Sequence, residues 1–281
     1  MATIEELFKA SFINIDKPSG PTSFDVVDVI KKIIPVSKTS HSGTLDPKVT
    51  GVLVVGIGRA ARLLRFLPSD KEYVGVMHLH EEISEEKIKE AIDTCFLGKI
   101  TQLPPKRCAV KRAEREREIY SFDILEMKDR EVLFRVHCEA GTYIRKLVHN
   151  LGEKLGIGAH MLELRRTRAG AFPESESITL YQLQEYYDKY KEKGDASELL
   201  KIMQPVEVLT KYIPTFELKD DSIKRILTGS PVFKGFLKNE EKTRDLKIGS
   251  FIALVHGSKL VGVARIIHEG TEIAVPEMVI N

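Results

Sequence analysis

The 281-residue chain holds only three cysteines, Cys95, Cys108 and Cys138. They are widely spaced, odd in number and form no C-x-x-C pair, which argues against a disulfide framework and a zinc site and suits a reducing compartment. No apolar run reaches the ~18 residues that a bilayer-spanning helix needs, so no membrane partner is expected. The opening MATIEELFKASF carries acidic residues early and lacks the basic-then-apolar order of a secretory leader; a cytoplasmic location is expected. There is no internal repeat and no low-complexity tract. Net charge is scarce too, at +2, and by itself says little about partners.

What is present fits a well-cored globular chain: 42% of residues are apolar and 30% charged. The length suits one large domain plus a small one, or two ordinary ones. Charge is unevenly distributed. Seven Lys/Arg stand against three Glu between Lys99 and Ile119, and six Lys/Arg with two His against two Glu between Arg145 and Arg168. Such local density neutralises phosphates even when the total balances, although a solvated surface reads the same way.

Periodicity places the elements. Phe12–Ser23 reads as a strand entering a Pro/Gly turn. A helix follows, with Ser23 as N-cap and Val26, Val27, Ile30, Ile33 and Ile34 on its inner face. HSGTLDPKVTG, from His41 to Gly51, reads as a loop because Gly, Pro and Asp recur. GVLVVGIG reads as a strand buried on both faces, YVGVMHLH as another, and Ser84 opens a helix that Gly98 stops. VLFRVHC alternates like a half-buried strand. GTYIRKLVHNLGEKLG is a helix with Ile144, Leu147, Val148, Leu151 and Leu155 in one stripe. A polar helical stretch follows Phe172–Pro173. Past Tyr212–Pro214 short strands and Gly turns predict a small β-rich second unit.

Three segments carry candidate chemistry. In the His41–Gly51 loop, Pro47 fixes its own φ and biases Asp46 to extended geometry, a rigid presentation that suits a catalytic carboxylate; an ordinary Asp-Pro turn has the same sequence. At the strand-to-helix junction Gly141–Lys146, Tyr143 and Arg145 lie where first-turn amides favour anions, or they are a core tyrosine and a surface arginine. LELRRTR (Leu162–Arg168) and LPPKRCAVKR are phosphate-contacting stretches or solvated edges. Two other motifs carry less. Gly56-Ile-Gly58-Arg-Ala-Ala61 matches a dinucleotide pattern but lacks the βαβ setting and the following acidic residue, so it reads as a tight strand-to-helix turn. His78 and His80 share a strand face without a third ligand, so they read as surface histidines.

Taken together, NIDKPSGPTSFDVV, HSGTLDPKVTGVL, DKEYVGVMHLH, PP…CAVKR…REIY and FRVHCEAGTYIRKLVHNLGEKLGIGAHMLELRRTRAGAF resemble the TruB-type pseudouridine synthases. Within them they resemble the guide-RNA-dependent branch of archaeal Cbf5 and eukaryotic dyskerin. The resemblance covers nearly the whole chain and implies an α+β catalytic domain on a mixed, largely antiparallel sheet over residues 1–212. A small PUA RNA-binding domain follows over 213–281, on which the N-terminal residues pack in relatives. The absence of a long Lys-rich tail favours the archaeal-like form.

Carried over by position, Asp46 is the catalytic carboxylate, Arg145 the arginine that pairs with and orients it, and Tyr73 the tyrosine that stacks on the flipped base and is a candidate proton acceptor from C5. His41, Tyr143 and Leu164 match substrate-pocket residues, and Lys17 a supporting residue of the first motif. The resemblance gives Lys106, Arg107, Lys111, Arg112, Arg165, Arg166 and Arg168 a rationale as RNA-facing surface, and implies neither metal nor cofactor. The implied partners are an H/ACA guide RNA, substrate rRNA or tRNA, a small adaptor protein, a glycine/arginine-related factor and a kink-turn-binding protein. The competing readings are a stand-alone synthase for the uridine of the tRNA TΨC loop and a non-catalytic RNA-binding scaffold; a nucleotide-dependent oxidoreductase built on Gly56 is more distant.

Overall fold

The computed structural model describes residues 2–103 and 113–280. In chain order the first part comprises α1 (Ile4–Lys9), β1 (Ala10–Lys17), α2 (Ser23–Ile33), β2 (Thr39–Ser42), β3 (Thr50–Gly58), β4 (Lys71–Leu79), α3 (Glu85–Cys95), β5 (Gly98–Gln102), β6 (Arg115–Lys128), β7 (Glu131–Cys138), α4 (Ile144–Leu155), β8 (Ala159–Ala169), β9 (Phe172–Pro173), α5 (Leu180–Lys193), α6 (Ser197–Ile202) and β10 (Met203–Pro205). These strands make one sheet in the order β10-β1-β3-β8-β4-β7-β6-β5, with β2 paired to β3 and β9 to β8. Every pairing in it is antiparallel except β3 with β8. The fold is therefore α+β on a mixed, largely antiparallel sheet, as the sequence leads one to expect.

β3 has a continuous apolar run because apolar clusters cover both its faces. Val52 and Val54 point into one cluster, and Leu53, Val55 and Ile57 into the other. β7 alternates as read, with Val132, Phe134, Val136 and Cys138 all fully buried. Helix α4 lays Ile144, Leu147, Val148 and Leu151 against that face, each 4% exposed or less; burying such a side chain contributes about 1.5–3 kcal/mol. Gly156, at φ 75°, supplies the left-handed cap that ends α4.

Two local expectations are corrected. Thr22, not Ser23, caps α2, in a capping box with Asp25. The His41–Gly51 segment is a loop only in its middle, because residues 39–42 form β2 along β3, with His41 opposite Val55. Backbone pairing wins there over the turn-forming composition.

The chain then enters β11 (Thr215–Glu217), α7 (Asp220–Leu227), β12 (Val232–Phe233), β13 (Phe251–His256), β14 (Lys259–Glu269) and β15 (Glu272–Val279). These strands form a second sheet in the order β11-β13-β14-β15-β12, so the β-rich texture after Tyr212–Pro214 corresponds to a separate sheet. The two sheets share a core, in which Phe12, Val52 and Phe66 cluster with Ala253, Val255 and Met278. Of α1, Ile4 and Leu7 pack into the cluster beneath the first sheet, while Glu6 reaches Lys259 of the second at 2.7 Å. Among the described residues no helix is long and apolar enough to cross a membrane.

Candidate active site

The candidate site lies mid-sheet, where β3 and β8 meet in parallel over only two residues, Thr50 opposite Arg165 and Gly51 opposite Arg166. The loop from Gly43 to Val49 arrives there and is fixed from several sides. Lys17, with no exposed surface, donates from Nζ to the carbonyls of Pro18 and Pro21 at 2.8 Å and to that of Pro47 at 3.0 Å. The amide of Gly20 donates to the same Pro47 oxygen at 2.9 Å. Burial lowers the Lys17 pKa, partly countered by the Asp46 charge. Ser23, freed from capping, is buried instead: its Oγ accepts from the Leu45 amide at 2.9 Å and donates to the Leu45 carbonyl at 3.2 Å. Asp46 thus sits between two anchored residues, Leu45 and Pro47.

Arg145, the second residue of α4, closes on it. Its Nη2 lies 2.8 Å from Asp46 Oδ2, and the two side chains are about half exposed, at 54% and 46%. Such an open ion pair adds little to stability. Its consequence is orientation: the carboxylate is held by one oxygen and remains about half exposed. The N-terminus of α4 is itself tied down, because Gln102 of β5 accepts from the Tyr143 amide at 3.0 Å and donates to the Tyr143 carbonyl at 3.3 Å. The sequence gives no hint of Gln102.

Tyr73 and Leu164 form the buried wall, at 8% and 9% exposure. Burial raises the pKa of the Tyr73 phenol, with the Arg166 charge opposing it and the Asp46 charge adding to the rise. The resting ring therefore carries its proton, and it lies within electrostatic reach of Asp46. His41 is half-buried, its pKa lowered by burial and then by the Arg166 charge. Its ring stands 5.1 Å from that of Phe24, edge to face. Phe24 is 69% exposed, an aromatic beside the loop that periodicity alone marks as an ordinary surface position.

Of the basic residues of β8, Arg166 is not where the sequence reading puts it. Arg166 is 1% exposed and points inward, donating from Nε to the Val52 carbonyl at 2.6 Å and from Nη2 to that of Gly43 at 3.1 Å. Its charge acts on the neighbouring Tyr73 phenol. Arg165 is held by Asp16 at 3.0 Å and Glu174 at 2.5 Å. Arg168 is held by Asp70 at 2.7 Å, with His137 alongside. Arg166 is thus sealed in the interior, while Arg165 and Arg168 stay 35% and 29% exposed but ion-paired within the chain. Lys106, Arg107, Lys111 and Arg112 lie outside the described residues.

Lys71, which the sequence reading passed over, is 5% exposed and donates to the Ser69 carbonyl at 2.6 Å. Burial and then the Arg166 charge push its pKa down to about 8. The Gly56–Ala61 motif is a turn into a 3₁₀ helix, as read. His78 and His80 are joined by His160 of β8, whose Nδ1 lies 2.9 Å from His80 Nε2. Among the described residues no group of three or more His, Cys, Asp or Glu is arranged to hold a metal.

Comparison with known proteins adds the following. A family model described as TruB family pseudouridylate synthase (N terminal domain) matches residues 31–144, which include Asp46, Tyr73 and Tyr143. Another, described as tRNA pseudouridylate synthase B C-terminal domain, matches residues 145–211, with Arg145 and Leu164. The chain is 43% identical to the probable tRNA pseudouridine synthase B of Methanopyrus kandleri over 93% of its own length and 78% of that protein's. Its fold is similar to a solved chain of a Cbf5–Nop10–Gar1 complex, with a TM-score of 0.89 and 41% identity over 99% of this chain and 87% of that one. It is similar also to a chain of an H/ACA ribonucleoprotein bound to a substrate RNA containing 2′-deoxyuridine, with a TM-score of 0.85 and 38% identity over 99% and 87%.

Proposed function

Because this chain belongs to the TruB family of pseudouridine synthases, we propose that it isomerises uridine to pseudouridine in rRNA and tRNA as the catalytic subunit of an H/ACA guide ribonucleoprotein, with Asp46 as its catalytic carboxylate. The observation that carries the assignment of Asp46 is its 2.8 Å pair with Arg145, about half exposed on a loop anchored at both neighbours. The reaction breaks the ribose C1′–N1 bond, turns the base, forms C1′–C5, and transfers the C5 hydrogen out and a proton onto N1. A carboxylate serves it either by bonding to C1′ or by taking a proton from C2′. Neither route calls for a metal or an organic cofactor.

The target base must leave its stack to be reached, at a cost of a few kcal/mol. Tyr73 offers a ring to offset that cost by stacking, worth about 1–3 kcal/mol. Burial raises the pKa of its phenol, and stacking is the role proposed for it. Leu164, His41 and Tyr143 line the remaining pocket, and Lys17 acts on the loop and not on the base.

Guide dependence draws its support from the likeness to chains of Cbf5 complexes and of an RNA-bound H/ACA particle. On this reading, residues 213–281 are a PUA domain that holds the guide, and the chain works in the cytoplasm with a small adaptor, a glycine/arginine-related factor and a kink-turn-binding protein. The names of the curated relatives favour a second reading, a stand-alone tRNA synthase. Release of tritium from 5-tritiated uridine separates the two. The purified chain is assayed on tRNA and rRNA fragments alone, then with guide RNA and partners. The guided reading expects rRNA turnover only with guide; full activity on tRNA without guide, and none gained with it, contradicts that reading.

A further inference from the structure

Gly58 ends β3 at φ 58°, and a Cβ there would stand 2.0 Å from the Lys9 carbonyl oxygen, so the chain turns sharply and closely against α1. It then winds through two consecutive 3₁₀ turns, Arg59–Arg62 and Leu64–Phe66. A 3₁₀ helix has three residues per turn, and side chains at i and i+3 eclipse. Arg59, Arg62 and Arg65 are spaced by three and form one outward row, while Ala60, Leu63 and Phe66 are buried. Arg65 is set at the end of the row by the Phe66 ring, 4.6 Å from its guanidinium carbon, and by Glu277 at 2.9 Å.

The row borders two clefts that adjoin at Ala61, Arg62 and Met278. One, of about 480 Å³, runs from Arg62 and Arg65 to Ser40, His41 and Ser42, and so reaches β2 just before the Asp46 loop. The other is walled by Lys9, Lys38, Arg59 and Arg62. Lys9, Lys38, Arg59 and Arg62 are exposed, and the ion pairs among the described residues include none of the four. The carboxylates lining the clefts are Glu5 and Glu277, and Glu277 is already taken by Arg65 and Arg265. Uncompensated cations on concave walls focus a positive potential, and the arginine fork matches phosphate oxygens in pairs.

We propose that the Arg59–Arg62–Arg65 row, with Lys9 and Lys38, is a phosphodiester track that binds the RNA backbone flanking the target nucleotide and leads it past His41 to the Asp46 loop. The track rests on the reading of the chain as an RNA-modifying enzyme and gives that reading a basic surface, which the buried and paired arginines of β8 do not supply. It reads no bases: backbone contacts fix register and orientation and leave sequence choice elsewhere.

The test uses the full chain and a tRNA transcript as probe, with binding titrated from about 50 to 200 mM salt. Arg59→Gln/Arg62→Gln is expected to weaken binding roughly tenfold and to lower the slope of log K against log salt by about two, one for each phosphate no longer neutralised. Lys191→Gln/Lys193→Gln removes the same charge from exposed positions of α5 and is expected to leave affinity and slope unchanged. Thermal melting confirms that each variant is folded. A wild-type slope and affinity in the arginine variant overturn the track, as does an equal loss in the lysine control. Tritium release by the wild-type chain, supplied with guide RNA and partner proteins, is followed in parallel. Release without any arginine-dependent binding removes the track and leaves the enzymatic reading standing; arginine-dependent binding without release does the reverse.

Discussion

Arg166 is a charge sealed in the interior, and burying a guanidinium is costly unless its hydrogen bonds are met. Here they are met by the carbonyls of Val52 and Gly43, so a single side chain ties the start of β3 to the start of the Asp46 loop, beside Tyr73. It is a positioning residue. Arg166→Met removes the donor to the buried Val52 carbonyl, at about 1–3 kcal/mol, and the tie to Gly43, and loosens the loop. The expected outcome is a lowered melting temperature together with a single-turnover rate of tritium release reduced on the order of 10²-fold, the effect of misplacing a reacting group by about 1 Å. Arg166→Lys keeps the charge without the fork and is expected to recover only part of the rate; a folded Met variant with wild-type turnover contradicts the role. The sequence shows Asp46 and Arg145 plainly, one through its Asp-Pro stiffness and the other through its place at a strand-to-helix junction. It hides Arg166, because RRTR has the same letters whether a strand faces solvent or sits mid-sheet. Only the alternation that pairs buried Leu164 with buried Arg166, two residues apart on β8, decides the matter.

At the scale of elements, the site is made by an irregularity in the sheet. β3 and β8 run parallel for two residues, and Gly51, at φ 99°, is where they touch; a Cβ there would stand 2.2 Å from the Arg166 carbonyl oxygen. Gly51→Ala therefore meets both a backbone conformation that L side chains rarely adopt and a backbone atom that cannot give way. The predicted loss is at least about 3 kcal/mol of unfolding free energy, read from denaturant melts, with the Asp46 loop displaced and tritium release falling further than the melt alone accounts for. A neutral effect at this position would mean that the β3–β8 junction is not the constraint described. The helices and the alternating strands are legible in advance because their apolar periods are strong. β2 is not, because four residues rich in Ser and Thr carry no period, and their pairing to β3 is a tertiary fact. Ser23 shows the same limit: a serine at a helix start looks like a cap, and here Thr22 caps while Ser23 holds Leu45.

Across the whole molecule, the change of texture near Tyr212–Pro214 correctly marks a second sheet but says nothing of how it is joined. Phe66 meets Phe251 edge to face at 4.9 Å, Arg65 meets Glu277, and one apolar cluster runs through both sheets. The basic clefts lie along this seam, formed by residues that are distant in sequence, which is why segment-by-segment charge counting points to β8 instead. The central question is whether the half-exposed carboxylate that this framework holds beside Arg145 is the one that reacts. Replacing it with an amide of the same size preserves the packing of a half-exposed side chain and removes the charge that bonds to C1′ or accepts the C2′ proton. The direct measurement is tritium release from 5-tritiated uridine in RNA by Asp46→Asn, beside the wild-type chain and with RNA binding measured on the same samples. The account predicts no detectable release with binding retained, and release at the wild-type rate contradicts it.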